Sequence, residues 1–190
     1  MVTLEEEKRA ARKRLATARA AVSDGARVNA SALACRHLTQ SEAWPSAGDI
    51  ATFCPLEQEA DPTALAVYAP GRVAYPQVAD GELVFRDAPM SELEPVPPYG
   101  VKEPRPEHPE LDSFALVVVP GLGFTKDGAR IGYGRGYYDR ALARLREVNP
   151  SLVAVGFGFA CQLVDEIPTG PSDARLDAVV TEDGFLWTRG

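Results

Sequence analysis

Apolar positions along the chain follow two patterns. Near the start, Leu4, Ala11, Leu15, Ala18 and Val22 recur on one helical face, and Thr3 and Glu6 stand at capping-box spacing. An amphipathic helix is therefore expected over 3–22. A second helix is expected over 28–42 and another over 136–148. Elsewhere the apolar residues run unbroken, from Phe114 to Val119 and from Leu152 to Phe157. Runs of that length, bounded by turn residues such as Pro120-Gly121, are expected of strands buried on both faces. Shorter strands are expected at 49–53, 72–75 and 82–86. Asp61-Pro62 supplies a cap and first position for a further helix. Val179 and Val180, the turn pair Asp183-Gly184 and Phe185 to Trp187 read as a closing hairpin. Buried strands alternating with helices predict an α/β layered domain spanning 1–190, with no internal repeat.

The pattern lapses between Asp87 and Asp112, where prolines stand at 89, 95, 97, 98, 104, 106 and 109. A stretch this long without elements of its own is a functional lid or a linker. Strands of one sheet are expected on both sides, which favours a lid over about 88–112.

Composition narrows the functional classes. The 190 residues are 45% hydrophobic and 25% charged, ordinary globular values, and the net charge is −7. That balance argues against nucleic-acid binding, which needs an excess of Lys and Arg to replace phosphate counterions. An anionic small molecule would need a local basic patch. Cys35, Cys54 and Cys161 are odd in number and widely spaced, which suits neither a disulfide framework nor a zinc site. No leader-like or membrane-spanning apolar run is seen, so a soluble, cytoplasmic protein, monomeric and without membrane partners, is expected.

The densest chemistry lies between Pro120 and Arg140. Gly132-Tyr-Gly-Arg-Gly-Tyr-Tyr-Asp139-Arg140 follows a buried strand and opens a helix. Ligands of open α/β sheets bind at such strand ends. Gly132, Gly134 and Gly136 allow φ > 0 and close backbone approach. Successive N–H groups and the helix dipole can cradle phosphate, with Arg130 and Arg135 adding charge. The loop has neither the GK[ST] ending of a P-loop nor the GxGxxG spacing of a dinucleotide site. On the glycines alone, a tight turn serves as well as a phosphate loop. Two arginines, three tyrosines and an acid within ten residues favour the ligand.

With Val117-Val-Val-Pro-Gly-Leu-Gly-Phe124 before it, this segment resembles the signature of the 5-formyltetrahydrofolate cyclo-ligase family. Further segments match in order: Lys8-Arg-Ala-Ala-Arg12, Phe53-Cys-Pro-Leu-Glu-Gln-Glu59, Gly100-Val-Lys-Glu-Pro104, Gln162 to Pro168, and Ser172 to Asp177. The resemblance implies a three-layer α/β/α open sheet, Rossmann-like and mostly parallel, with the C-terminal hairpin. It implies a ligase that uses ATP and Mg2+ to close 5-formyltetrahydrofolate into 5,10-methenyltetrahydrofolate, through a phosphorylated formyl group, with release of ADP and phosphate.

The resemblance also implies site residues. Lys8, Arg9 and Arg12 would meet ATP with Arg130, Gly132, Tyr133, Gly134, Arg135, Gly136, Tyr137 and Tyr138, and Lys8, Arg12 and Arg135 would carry catalysis. Cys54, Glu59, Tyr99, Tyr133, Gly134, Arg135, Gly136 and Tyr137 would hold the folate. A carboxylate such as Glu59 can accept two N–H bonds from an amino-pterin edge. Asp139 and Asp173 would hold magnesium, for which two carboxylates beside phosphates and waters suffice. Without the resemblance, Lys8 and Arg12 read as a solvated face, Cys54 as small core, Asp139 as dipole compensation and Asp173 as a turn residue. His37 and His108 carry no expected role. Two positions depart from the family pattern, Gln77 where a basic residue is common and Tyr99 where tryptophan is, and both bear on the folate tail. A sugar-phosphate or coenzyme A enzyme on a related scaffold, or a nucleotide-binding paralogue without catalysis, are the competing readings.

Overall fold

The computed structural model describes residues 2–98 and 100–188. The first helix, α1 (Leu4–Ala20), has the expected capping box: the Glu6 amide donates to the Thr3 hydroxyl and the Thr3 amide to Glu6. The second, α2 (Asp24–Thr39), starts earlier than its apolar spacing predicts because Ser23 takes the extended N-cap conformation and Asp24 the first turn. It ends where the Ser41 hydroxyl takes the Leu38 carbonyl.

Eight strands form the main sheet. In chain order they are β1 (Ile50–Ala51), β2 (Val73–Ala79), β3 (Glu82–Asp87), β6 (Glu110–Leu111), β7 (Leu116–Val119), β10 (Val153–Phe157), β11 (Ala178–Thr181) and β12 (Gly184–Trp187). The missing numbers belong to two short ribbons, β4 (Glu94–Val96) with β5 (Val101–Glu103), and β8 (Gly123–Phe124) with β9 (Arg130–Ile131). The spatial order is β12-β11-β10-β7-β1-β2-β3-β6. The five central strands run parallel, and antiparallel strands extend both edges. The C-terminal hairpin β11/β12 is present as expected.

Helices cover both faces. Leu116, Val118, Val155, Phe157, Ala178 and Val180 meet Ala34, Cys35 and Leu38 of α2 and Leu65 of the 3-10 turn Thr63–Tyr68. Alternate positions Val117, Val119, Ala154 and Val179 meet Ala141, Leu142 and Leu145 of α3 (Tyr137–Val148). This double covering is why those strands read as unbroken apolar runs. The result is a three-layer α/β/α open sheet. By contrast, α1 lies on neither face. Its Ala11 and Leu15 pack on Leu122, Ala129, Ile131 and Ile167, so it lies across the loops that follow β7 and β10.

The segment expected to lack structure has some. A 3-10 turn, Met90–Glu92, leads into the β4/β5 ribbon, and β6 pairs with β3 at the sheet edge. The strands are two or three residues long and those of the ribbon are largely exposed, so no alternation betrays them. Pro95 is tolerated because the ribbon is all edge. Buried Gln77 of β2 donates to the Pro104 carbonyl at 2.9 Å and accepts from Arg86, whose guanidinium also holds the His108 carbonyl. Gln77 therefore fastens the segment to the sheet. Val78 N–H donates to Glu103, whose carboxyl is pushed up by burial.

Candidate active site

The site is built where α1 crosses the carboxyl ends of the central strands. Three basic side chains on one stripe of α1 point to the same cleft, since steps of four and seven residues return to nearly the same helical direction. Lys8 Nζ meets both oxygens of Asp173 at 2.8 and 2.7 Å. Arg12 donates through Nε to the Gly132 carbonyl at 3.2 Å and pairs with Glu5 at 2.7 Å. Arg19 reaches Glu59 and Tyr133. Arg9 lies on the next flank, exposed, and makes no ion pair among the described residues, so the structure brings Arg12 to the glycine loop and Lys8 to Asp173 and leaves Arg9 outside.

The glycine loop runs from β9 to α3. Gly134 has φ of +93° and Gly136, the N-cap of α3, +67°, as the sequence suggested, whereas Gly132 keeps an ordinary φ and instead allows the close approach of the Arg130 guanidinium, 2.8 Å from where a Cβ would stand. A methyl group at Gly134 would stand 3.0 Å from the Arg12 guanidinium carbon, which shows how closely that cation approaches the loop backbone. Arg135 is exposed, and its side chain makes no ion pair among the described residues. Arg130 is buried and already committed, donating to Asp139 at 3.0 Å and to the Pro120 carbonyl at 3.2 Å while lying over the Tyr138 ring. Tyr138 packs edge-on against Phe85 as the floor of the loop. Its hydroxyl is buried without a partner, and burial pushes its ionisation far above the ordinary value. Tyr137 is partly buried, with the Arg140 guanidinium over its ring.

Asp139 and Asp173 are drawn together. Asp139 Oδ1 accepts from the backbone N–H of Ala174, the residue after Asp173. Burial would raise the Asp173 carboxyl, but the Lys8 hydrogen bond, the Gly170 amide and the charges of Lys8 and Arg130 outweigh it and hold it below its ordinary value. No group of three or more His, Cys, Asp or Glu side chains able to hold a metal occurs among the described residues. Two hard carboxylates, of which Asp173 is neutralised by a lysine that phosphate could draw away, nevertheless suit magnesium held jointly with a polyphosphate. Both hydrogen bonds of Asp139 fall on Oδ1, leaving Oδ2 to spare.

Glu59 lies on the other side of Tyr133. Its Oε2 accepts from Leu56 N–H at 3.0 Å, and its Oε1 accepts from the Tyr133 hydroxyl at 2.8 Å and from Arg19 at 3.4 Å. The Tyr133 ring is half exposed, but its hydroxyl is sheltered in this cluster. Burial and the Glu59 charge push that hydroxyl up to about 12, against the pull of Arg19. Cys54 packs with Tyr75, Ala88 and Leu93 at the root of the proline-rich segment, and burial raises its thiol despite the charge of Lys102. Tyr99 lies outside the described residues. Arg19 was not anticipated from the sequence. Its signal was available, since it continues the Lys8–Arg12 direction along the same helix.

Two cavities lie away from this cleft. One of about 650 Å³ runs along the far flank of α1, between Arg14, Asp127, Glu166 and Arg175, and another of about 330 Å³ sits at the opposite ends of the strands. The cationic cleft is the better candidate site, because a polyanion needs converging donors rather than an enclosed void.

A model of the 5-formyltetrahydrofolate cyclo-ligase family matches residues 4–182. The 5-formyltetrahydrofolate cyclo-ligase of Saccharomyces cerevisiae is 38% identical over 100 residues, 51% of this chain and 47% of the yeast protein. That of Mycoplasma pneumoniae is 31% identical over 113 residues, 59% of this chain and 57% of its own. The matches thus span about half the length of these relatives. The solved structure of Aquifex aeolicus 5,10-methenyltetrahydrofolate synthetase superposes with a TM-score of 0.79 at 26% identity, over 96% of this chain and 93% of that one. The structure of the Mycoplasma pneumoniae synthetase, at 23% identity and a TM-score of 0.72, shares the fold.

Proposed function

As a member of the 5-formyltetrahydrofolate cyclo-ligase family, this chain has, we propose, the family's reaction: ATP-dependent closure of 5-formyltetrahydrofolate to 5,10-methenyltetrahydrofolate with release of ADP and phosphate. The observation that carries the proposal is the arrangement of one cleft. Lys8, Arg12 and the Gly132–Gly136 backbone form a cationic half, and Glu59 forms an anionic half across Tyr133. A polyphosphate suits the first and a 2-amino-pterin edge the second, which sets the two substrates side by side.

In the proposed mechanism the formyl oxygen on nitrogen-5 attacks the γ-phosphorus of ATP and ADP departs. An amide oxygen is a poor leaving group, and as a phosphate ester it becomes a good one. Nitrogen-10 then adds to the formyl carbon, phosphate leaves with the former formyl oxygen, the nitrogen-10 proton passes to water, and the methenyl bridge is complete. The chain's share is positioning and charge neutralisation. Lys8 would exchange Asp173 for phosphate oxygens, Arg12 would stay against the loop, and exposed Arg135 would reach the transferring group. Glu59 would orient the pterin so that the formyl oxygen faces the nucleotide. Magnesium, held by Asp139 and Asp173, would neutralise phosphate charge. The protein is proposed to act as a single cytoplasmic domain of 1–190, monomeric, with small-molecule substrates only. Purified protein given ATP, magnesium and 5-formyltetrahydrofolate should generate methenyl absorbance, and no absorbance in a folded sample would refute the reading.

A further inference from the structure

Arg19 and Glu59 form a buried ion pair, with only 6% and 8% of their side chains exposed. A guanidinium carries five N–H donors, and a buried one normally finds acceptors for them. Arg19 uses only Nη1, donating to the Tyr133 hydroxyl at 2.9 Å and lying 3.4 Å from Glu59. Its Nε is buried and has no partner. Leaving a charged donor unspent in the interior is costly, and hydrophobic packing does not call for it. The adjacent groups define what is missing. Glu59 offers acceptors, and the second arm of Arg19 beside it, Nη2, makes no hydrogen bond among the described residues, so acceptors and an unspent donor stand side by side.

A 2-amino-4-oxo-pterin presents the complement. Its exocyclic amino group and ring nitrogen-3 donate, and the oxygen at carbon-4 accepts. We infer that Arg19 is a substrate-binding residue that receives the carbon-4 oxygen of the folate through its unspent donors, making the site selective for 4-oxo over 4-amino pterins. The inference rests on the proposal that Glu59 meets the pterin edge. Glu59 already accepts three hydrogen bonds, from Leu56, Tyr133 and Arg19, so one must yield to the ligand. Tyr133, half exposed on the glycine loop, is the one free to swing out. Replacing the carbon-4 oxygen by an amino group also removes the nitrogen-3 proton, so Glu59 contributes to the discrimination, and Arg19 adds its own share because its guanidinium faces an acceptor in one pterin and an N–H donor in the other.

The test is calorimetric affinity, without ATP, for 5-formyltetrahydrofolate and for its analogue bearing an amino group at carbon-4. The wild type should prefer the 4-oxo ligand by about tenfold or more, as expected where a buried donor loses its acceptor. Arg19→Met should lower the ratio about fivefold or more, mainly by weakening the 4-oxo ligand and leaving the part that Glu59 sets at nitrogen-3, with ATP affinity unchanged. Arg19→Lys retains the charge beside Glu59 and guards against misfolding. It should lower the ratio at least threefold, because a single ammonium already facing Glu59 and Tyr133 has no second arm. If both ligands weaken equally in Arg19→Met, or if the wild type shows no preference, Arg19 only supports Glu59 and the inference is wrong. Glu59→Gln separates the two levels. It should weaken both ligands, and unchanged binding of both would overturn the placement of folate at Glu59 and the Arg19 inference with it.

Discussion

Replacing Gly134 with alanine probes the joint between the glycine loop and α1. At φ of +93° an alanine is strained, at about 1 to 3 kcal/mol. The loss is offset by about 0.4 to 1 kcal/mol, because alanine has less freedom to lose from the unfolded chain. The three atoms nearest the new methyl group, at 3.0 to 3.3 Å, all belong to the Arg12 guanidinium, so the neighbour that must move is the end of a flexible side chain. Net destabilisation of roughly 1 to 2 kcal/mol should lower the melting temperature by roughly 2 to 8 °C in a protein of this size. The functional cost should be larger. Pushing Arg12 from its Gly132 contact takes a cation from the proposed phosphate site, and a hydrogen bond to a charged group contributes about 1.5 to 3 kcal/mol. The KM for ATP should therefore rise between about tenfold and a hundredfold, with that for 5-formyltetrahydrofolate much less affected. Methenyl absorbance at varied ATP, alongside melting with and without ATP, gives both quantities. A variant that melts a few degrees lower yet keeps wild-type ATP dependence would show that the loop is only a turn and that Arg12 does not meet phosphate.

Lys8→Ala should raise the KM for ATP and also destabilise the fold by about 1 to 3 kcal/mol, because it strands Asp173. Adding Asp173→Asn should recover part of that melting loss, and strictly additive losses would mean the pair is uncoupled. Asp173→Asn alone should raise the magnesium concentration needed for half-maximal turnover at fixed ATP, and an unchanged titration would favour a purely structural turn. The same residue gives a pH prediction. Its folded pKa lies below the ordinary 3.8, so its contribution to stability is present above that value and is lost as pH falls through the lower folded one. Asp173→Asn should accordingly show a shallower fall in melting temperature below about pH 4, and a slope equal to wild type would refute the assignment. Gln77→Ala should free the Pro104 carbonyl and the Arg86 guanidinium, speeding proteolysis within 88–112 severalfold, with a stability loss of about 1 to 3 kcal/mol. Unchanged cleavage would show that the segment is fastened elsewhere.

Local pattern alone fixed much of this protein. The Thr3/Glu6 box and its apolar stripe determine α1, and the unbroken runs ending at Val119 and Phe157 determine two central strands, because period and cap chemistry are properties of neighbouring residues. The left-handed conformations at Gly134 and Gly136 were legible for the same reason. What depends on distant pairings was not. The β4/β5 ribbon is too short and too exposed for a periodicity to register, and the hold of Gln77 on Pro104 joins residues 27 positions apart. Tyr138, read with the nucleotide loop, faces the core because α3 turns that flank onto Phe85. Lys8 and Arg12 could be placed on one helix face from their spacing. That α1 spans the strand ends, bringing Lys8 to Asp173 and Arg19 to Glu59 across 165 and 40 residues, was decided only when Leu15 and Ala11 buried themselves on the β8/β9 ribbon, since apolar packing sets where a helix lies and its polar stripe must follow.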